Sequence, residues 1–251
     1  MKTTVLNSHV KENTIVFLPG LFAGGWIWDR IINDFPEYKL VIFEDSIVEA
    51  VDAKKSFEQM ANDMAGILKK LDLDRTALVG NSLGSLLAIL ICNQNQIKVK
   101  RVIISGCPGM NKNVNLGIGL PGIDGISIWL DKLADQLFYN KNDILSSDFA
   151  KDDLKSKLMK PFRDRFTFLK MVRIAKQLNS YSIKDTVKDF DVPSLGIWGD
   201  CDSVTPVEHW KDLPQQNKNF QLQVVEHCGH SPMIERPQEF SKALQTFMIA
   251  A

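Results

Sequence analysis

The sequence predicts an α/β fold: a mostly parallel central sheet of six to seven strands, helices on both faces, and an inserted helical lid. Three observations lead there. Short apolar runs such as Thr14–Leu18, Leu40–Phe43, Thr76–Val79 and Arg101–Ser105 end at turn signals, as strands buried on both faces do. Amphipathic stretches separate them, and that alternation is the mark of a parallel sheet with crossover helices. From residue 110 to 191 the strand rhythm stops and helical patterns replace it, after which strands resume. Residues 1–109 and 192–251 are therefore expected to form the core, with 110–191 inserted as the lid.

In chain order, Thr3–Leu6 reads as a short edge strand. Thr14–Leu18, stopped by Pro19-Gly20, reads as a central one. Ala23 to Phe35 carries Trp26, Ile27, Trp28, Ile31 and Ile32 at spacings that predict a helix with one apolar face. Leu40–Phe43 is the next buried strand. Ser56 to Leu71 predicts a strong amphipathic helix, and Ser56 with Gln59 resembles a capping box. Thr76–Val79 reads as a strand and Ser85–Ile91 as a buried helix, with Arg101–Ser105 a further strand. In the lid, helical patterns cover Ile126–Phe138, the stretch around Phe149–Met159, and Phe162–Leu178. Ser194–Trp198 and Phe220–Val225 read as the last strands and Pro237–Met248 as the closing helix.

At 251 residues, 45% apolar and 24% charged, with a net charge of zero, the chain can bury one large core. Nothing in this balance points to nucleic acid or an anionic membrane. No window approaches the ~18 consecutive apolar residues of a membrane span. Met1 to Val10 lacks a signal-peptide core. Cys92, Cys107, Cys201 and Cys228 form no C-x-x-C pair and are read as free thiols of a cytoplasmic protein.

Between the third apolar run and its helix stands Gly80-Asn81-Ser82-Leu83-Gly84. A G-x-S-x-G turn between strand and helix lifts a serine hydroxyl out of the chain at a helix N-terminus, where negative charge is favoured. The turn is equally compatible with an incidental serine, so its partners decide. An activated serine needs a base, and the base a carboxylate. Of four histidines, His9 precedes the first strong strand and His209 lies in a predicted helix beside Trp210; both are read as structural or exposed. His227 is read as a loop residue. His227-x-x-His230 alone is too few ligands for a metal site, and no metal or cofactor is expected. His230, in Gly229-His230-Ser231-Pro232, directly precedes the last helix. Gly199-Asp200-Cys201-Asp202 follows the penultimate strand, where catalytic groups of parallel sheets gather. Asp202 is the expected acid and Asp200 the fallback. Backbone N–H groups of Leu83 and Leu21 are the expected oxyanion donors.

These motifs resemble the α/β-hydrolases of the compact, lidded group that includes carboxylesterases, C–C hydrolases and hydroxynitrile lyases. The resemblance rests on Leu18-Pro19-Gly20-Leu21, Gly80 to Gly84, Gly199-x-x-Asp202-x-x-x-Pro206 and Gly229 to Pro232. It implies Ser82 as nucleophile, His230 as base, Asp202 as its orienter, and Leu21 and Leu83 amides as the oxyanion hole. It also has departures. Pro19-Gly20 stands where the family often has His-Gly, Glu44-Asp45-Ser46 lacks the usual glycines after its strand, and the N-terminal hairpin is truncated. Ser82 itself argues against the aspartate nucleophile of dehalogenases and epoxide hydrolases. Hydroxynitrile lyases carry threonine where Gly20 stands and lysine where Ser231 stands, and C–C hydrolases usually carry tryptophan at Ser231.

The expectation is a serine esterase or thioesterase acting on a small-molecule substrate, with Phe22, Trp26 and Trp129 as pocket residues for an apolar or aromatic acyl group. C–C bond hydrolysis or lyase chemistry with the same triad is the alternative. A non-catalytic binding or signalling role on the scaffold is a third.

Overall fold

The computed structural model describes residues 1–71, 73, 75–110, 137–139, 156–157 and 164–249. Among the described residues seven strands form one sheet: β1 (Thr3–Leu6), β2 (Thr14–Leu18), β3 (Lys39–Phe43), β4 (Thr76–Asn81), β5 (Val99–Ser105), β6 (Ser194–Gly199) and β7 (Phe220–Val225). Their spatial order is β1-β3-β2-β4-β5-β6-β7. β1 runs antiparallel to β3, and every other pair is parallel.

The strands are apolar at successive positions because each feeds two cores. Side chains alternate across a sheet. Val16 and Leu18 of β2, Val41 and Phe43 of β3, and Val102 and Ile104 of β5 face one core. Ile15 and Phe17, Leu40 and Ile42, and Ile103 face the other.

The described helices are α1 (Ile47–Ala50), α2 (Phe57–Leu68), α3 (Leu83–Asn93), α4 (Arg165–Ser180), α5 (Lys184–Lys188), α6 (Leu213–Gln216), α7 (Pro232–Glu235) and α8 (Pro237–Ile249). α2, α3 and α4 contribute to the first core; α8 packs Phe240, Leu244 and Phe247 into the second. α2 begins at a complete capping box. The Gln59 N–H donates to Ser56 Oγ at 3.3 Å, and the Ser56 N–H donates to Gln59 Oε1 at 3.0 Å.

One predicted helix is corrected. Ala23 to Phe35 is not α-helical but two 3₁₀ turns, Gly25–Trp28 and Ile32–Asp34. The apolar spacing is satisfied all the same, because Ile27, Trp28, Ile31 and Phe35 are buried. The cause lies at the start of the stretch. The Gly25 N–H donates to the Glu44 carbonyl at 3.0 Å, and Gly24 and Gly25 press against the end of β3 so closely that no Cβ fits at either. That tether sets the entry angle. The run then closes by i→i+3 bonds, such as Asp29 N–H to Trp26 O at 3.2 Å. His209, placed in a helix by pattern, likewise sits in a single 3₁₀ turn, Val207–His209.

Of the three helical patterns in the inserted segment, Phe162–Leu178 corresponds to α4. It starts later than its pattern because Asp164 caps it, accepting the Thr167 N–H at 2.7 Å. The other two patterns lie almost wholly outside the described residues, and so does Trp129. Among the described residues no helix is long and apolar enough to cross a membrane.

Replacing Ser56 with Ala removes one half of the capping box. It is expected to lower the unfolding free energy by about 1 kcal/mol, read as a lower urea midpoint with an unchanged slope.

Candidate active site

The turn between β4 and α3 is tight. Ser82 has φ 53° and ψ −122°, a left-handed conformation for a residue with a side chain, of the kind that persists only where its surroundings impose it. The surroundings are visible. Gly80 lies so close to Gly84 and Ser85 that a Cβ on it would sit 2.5 Å from the Gly84 carbonyl oxygen, and a Cβ on Gly84 would collide with the carbonyls of Leu18 and Pro19. Both glycines are therefore needed for close approach. The Ser82 N–H donates to the Ser105 carbonyl at 2.8 Å, fastening the turn to the end of β5. The Ser105 N–H donates in turn to Ser85 Oγ at 3.0 Å. Ser82 is the N-cap of α3, yet its side chain makes no capping bond, so its hydroxyl is not committed to the helix.

Asp202 and His230 come from the loops after β6 and β7 and meet in the interior. Nδ1 of His230 lies 2.9 Å from Oδ2 of Asp202, with both side chains buried. The carboxylate is fully engaged. Its Oδ1 accepts the N–H groups of Val204 and Thr205, each at 2.9 Å, and its Oδ2 also accepts the Thr205 hydroxyl at 2.8 Å. A buried carboxylate needs such partners. An acceptor-only group at Nδ1 makes that nitrogen the protonated one and leaves Nε2 as the basic position. Asp200, the fallback, is occupied elsewhere. Its Oδ1 accepts the Cys228 N–H at 3.1 Å, and its side chain is exposed.

Ser82 and His230 share the wall of one cleft. Leu21, Phe22 and Trp26 line it too, as do Leu137, Phe138, Val204 and Ile234. Leu83 is the first residue of α3, where an N–H has no acceptor within the helix. The Lys157 ammonium sits 5.7 Å from the centre of the Trp26 ring. His227 is a loop residue with φ 51°, and its ring stacks on Tyr139 at 5.9 Å. Among the described residues no cluster of three His, Cys, Asp or Glu is placed to hold a metal ion.

The cysteines are free, and none offers a ready thiolate. Burial pushes the Cys92 thiol up to about 11 and raises those of Cys107 and Cys228 as well; Cys201 is also raised, first by desolvation. A thiol is reactive as its thiolate, so the nucleophilic candidate in this cleft is the serine.

Sequence reasoning missed four residues that hold these parts in place. Asn81, buried inside the elbow, donates from Nδ2 to the His230 carbonyl at 3.2 Å. Thr205 binds Asp202 and lies 3.3 Å from Nδ1 of His230. Gly106 has φ 59°, and a Cβ there would stand 2.5 Å from Cε1 of His230. Glu235 accepts N–H groups from both sides of His230. Asn81 and Thr205 sit within the quoted motifs and Glu235 three residues beyond one, but a motif gives no direction to a side chain. Gly106, in the turn after β5, carried no signal beyond turn chemistry.

The chain belongs to the alpha/beta hydrolase family, whose pattern matches residues 15–243. It is 24% identical over 248 residues to 2-hydroxy-6-oxo-2,4-heptadienoate hydrolase of Pseudomonas putida F1, covering 95% of this chain and 90% of that one. In structure it resembles the enol-lactonase of Burkholderia xenovorans LB400 with a TM-score of 0.79 at 15% identity, over 98% of this chain and 95% of that one. It also resembles a meta-cleavage product hydrolase of Pseudomonas fluorescens IP01, with a TM-score of 0.77 at 20% identity, over 98% and 93%. These two likenesses show the fold, and the relatives share hydrolase chemistry as a class.

Thr205→Val removes one of the bonds that satisfy the Asp202 carboxylate. Loss of about 1.5–3 kcal/mol of stability is expected for a hydrogen bond to a charged group, measured by chemical denaturation; an unchanged midpoint would show that Thr205 does not hold the carboxylate.

Proposed function

We propose that the protein is a serine hydrolase that cleaves a carboxylic ester or thioester of a small, apolar or aromatic substrate through an acyl-enzyme. In this reading Ser82 is the nucleophile, His230 the base and Asp202 its orienter. The observation that carries it is the buried contact between Asp202 and His230, together with the cleft that His230 lines beside Ser82 in its strained turn.

The substrate carbonyl enters beside Ser82. Nε2 of His230 takes the hydroxyl proton as Oγ attacks, and Asp202 stabilises the imidazolium that forms. Negative charge builds on the carbonyl oxygen, and the amides of Leu21 and Leu83 receive it, aided by the N-terminus of α3. His230 returns the proton to the departing alcohol or thiol. Water, deprotonated by the same nitrogen, then attacks the acyl-serine, the bond to Oγ breaks as His230 returns the proton to Ser82, and the acid leaves. Leu21, Phe22, Trp26, Val204 and Ile234 on the cleft wall suit an apolar or aromatic acyl group. The segment 110–191 serves as the lid. No cofactor takes part, and the free thiols accord with a cytoplasmic setting.

A second reading draws on the sequence relative: hydrolysis of a C–C bond next to a carbonyl, with Ser82 and His230 moving a proton. Asn81 before the serine resembles that group, whereas Ser231 stands where those enzymes usually carry tryptophan.

A serine-directed alkyl phosphonate is expected to modify Ser82 in the folded protein, as mapped by peptide mass, and to leave Ser82→Ala unmodified. Labelling elsewhere, or none, contradicts the nucleophile assignment. Gly106→Ala drives a methyl group into the His230 ring. A displacement of that kind is expected to lower ester turnover on the order of a hundredfold, with the protein still folded by circular dichroism. Undiminished turnover would mean that the ring position is not critical.

A further inference from the structure

Glu235 ends the short helix α7, and its carboxylate is held by main-chain groups. Oε1 accepts the Gly229 N–H at 3.0 Å and the Ser231 N–H at 3.4 Å, the two residues flanking His230. Oε2 accepts the Tyr139 N–H at 2.8 Å. The same short stretch is tied to the histidine a second time, since the His230 N–H donates to the Leu137 carbonyl at 3.1 Å. Contact is close: a Cβ on Gly229 would stand 2.7 Å from the Tyr139 nitrogen and 3.0 Å from Glu235 Oε1. Residues 137–139 and 229–231 thus lie backbone to backbone, and one carboxylate joins them. Leu137 and Phe138 line the cleft on which His230 also stands.

A neutral apolar side chain would fill this position without the penalty of desolvation, and that desolvation pushes the Glu235 carboxyl above the usual glutamate range against the pull of its N–H donors. Only an acceptor with two oxygens on opposite sides can satisfy N–H groups of both segments at once.

We propose that Glu235 is a positioning residue that locks the His230 peptide to the 137–139 segment, so that the imidazole is aligned with Ser82 and Asp202 only while that segment is seated. The proposal rests on the reading of Ser82 and His230 as nucleophile and base. It adds that the cleft wall and the base move as a unit, so substrate that seats Leu137 and Phe138 also seats His230.

Glu235→Gln separates this from simple stabilisation. The amide oxygen can keep one pair of contacts, while its NH₂ meets an N–H donor on the other side, so half of the lock is lost at nearly constant volume. Glu235→Leu loses both halves. Inactivation by the alkyl phosphonate is followed against reagent concentration for parent, Glu235→Gln, Glu235→Leu and Ser82→Ala, with thermal unfolding in parallel. The maximal inactivation rate at Ser82 is expected to fall about tenfold in Glu235→Gln and further in Glu235→Leu, with the half-saturating reagent concentration little changed. If Glu235→Leu does not fold, Glu235→Gln alone decides. A lower melting temperature with an unchanged maximal rate, or a defect confined to reagent affinity, overturns the positioning role. A parent protein that is not labelled at Ser82 overturns the nucleophile reading itself, and this proposal with it.

Discussion

The arrangement depends on a buried contact between two loops: the Asp202 carboxylate and the His230 imidazole, 2.9 Å apart. Neither group could be buried alone at acceptable cost. Asp202 is tolerated in the interior because Val204, Thr205 and His230 satisfy it. Those loops meet because β6 and β7 are adjacent and parallel, so their carboxyl ends lie at the same end of the sheet. Parallel topology therefore brings together residues that are 28 positions apart in the chain. The loops also pack main chain to main chain: no Cβ fits on Gly199 against the Cys228 and Gly229 carbonyls.

The serine reaches this pair by a different constraint. β4 lies in the middle of the sheet, between β2 and β5, and its turn into α3 is squeezed between the carbonyls at the end of β2 and the Ser105 main chain at the end of β5. Ser82 absorbs the squeeze as a positive φ. Strain at one residue is tolerated because the buried strand and the almost wholly buried helix on either side are strongly stabilising. Asn81 then bonds across to the His230 carbonyl, so the serine's turn and the histidine's loop are registered to each other by the side chain that precedes Ser82.

Much of this was legible in the residues. Continuous apolar strands, the elbow glycines and the order Ser82, Asp202, His230 depend on local spacing and chain order, which a sequence carries directly. The preference for Asp202 over Asp200 follows the spacing of its motif, and the structure turns only Asp202 toward His230. The stretch 23–35 misled because apolar periodicity reports which residues are buried and not which helix they form. The tether of Gly25 to Glu44, a contact with β3, decides that. Gly106, Thr205 and Glu235 escaped for a related reason: their roles lie in contacts across the fold, to a ring or to N–H groups far away in sequence. Phe22 and Trp26 do line the cleft, while Trp129 lies outside the described residues.

The central claim is that Ser82 attacks a carbonyl and carries an acyl group. Rapid acid quench of the protein during turnover of an activated ester, followed by peptide mass mapping, tests it most directly. The expected result is a transient adduct of the acyl mass on the peptide containing Ser82, absent from Ser82→Ala. Full turnover with no adduct on that peptide at any quench time, or an adduct on another residue, would contradict the account.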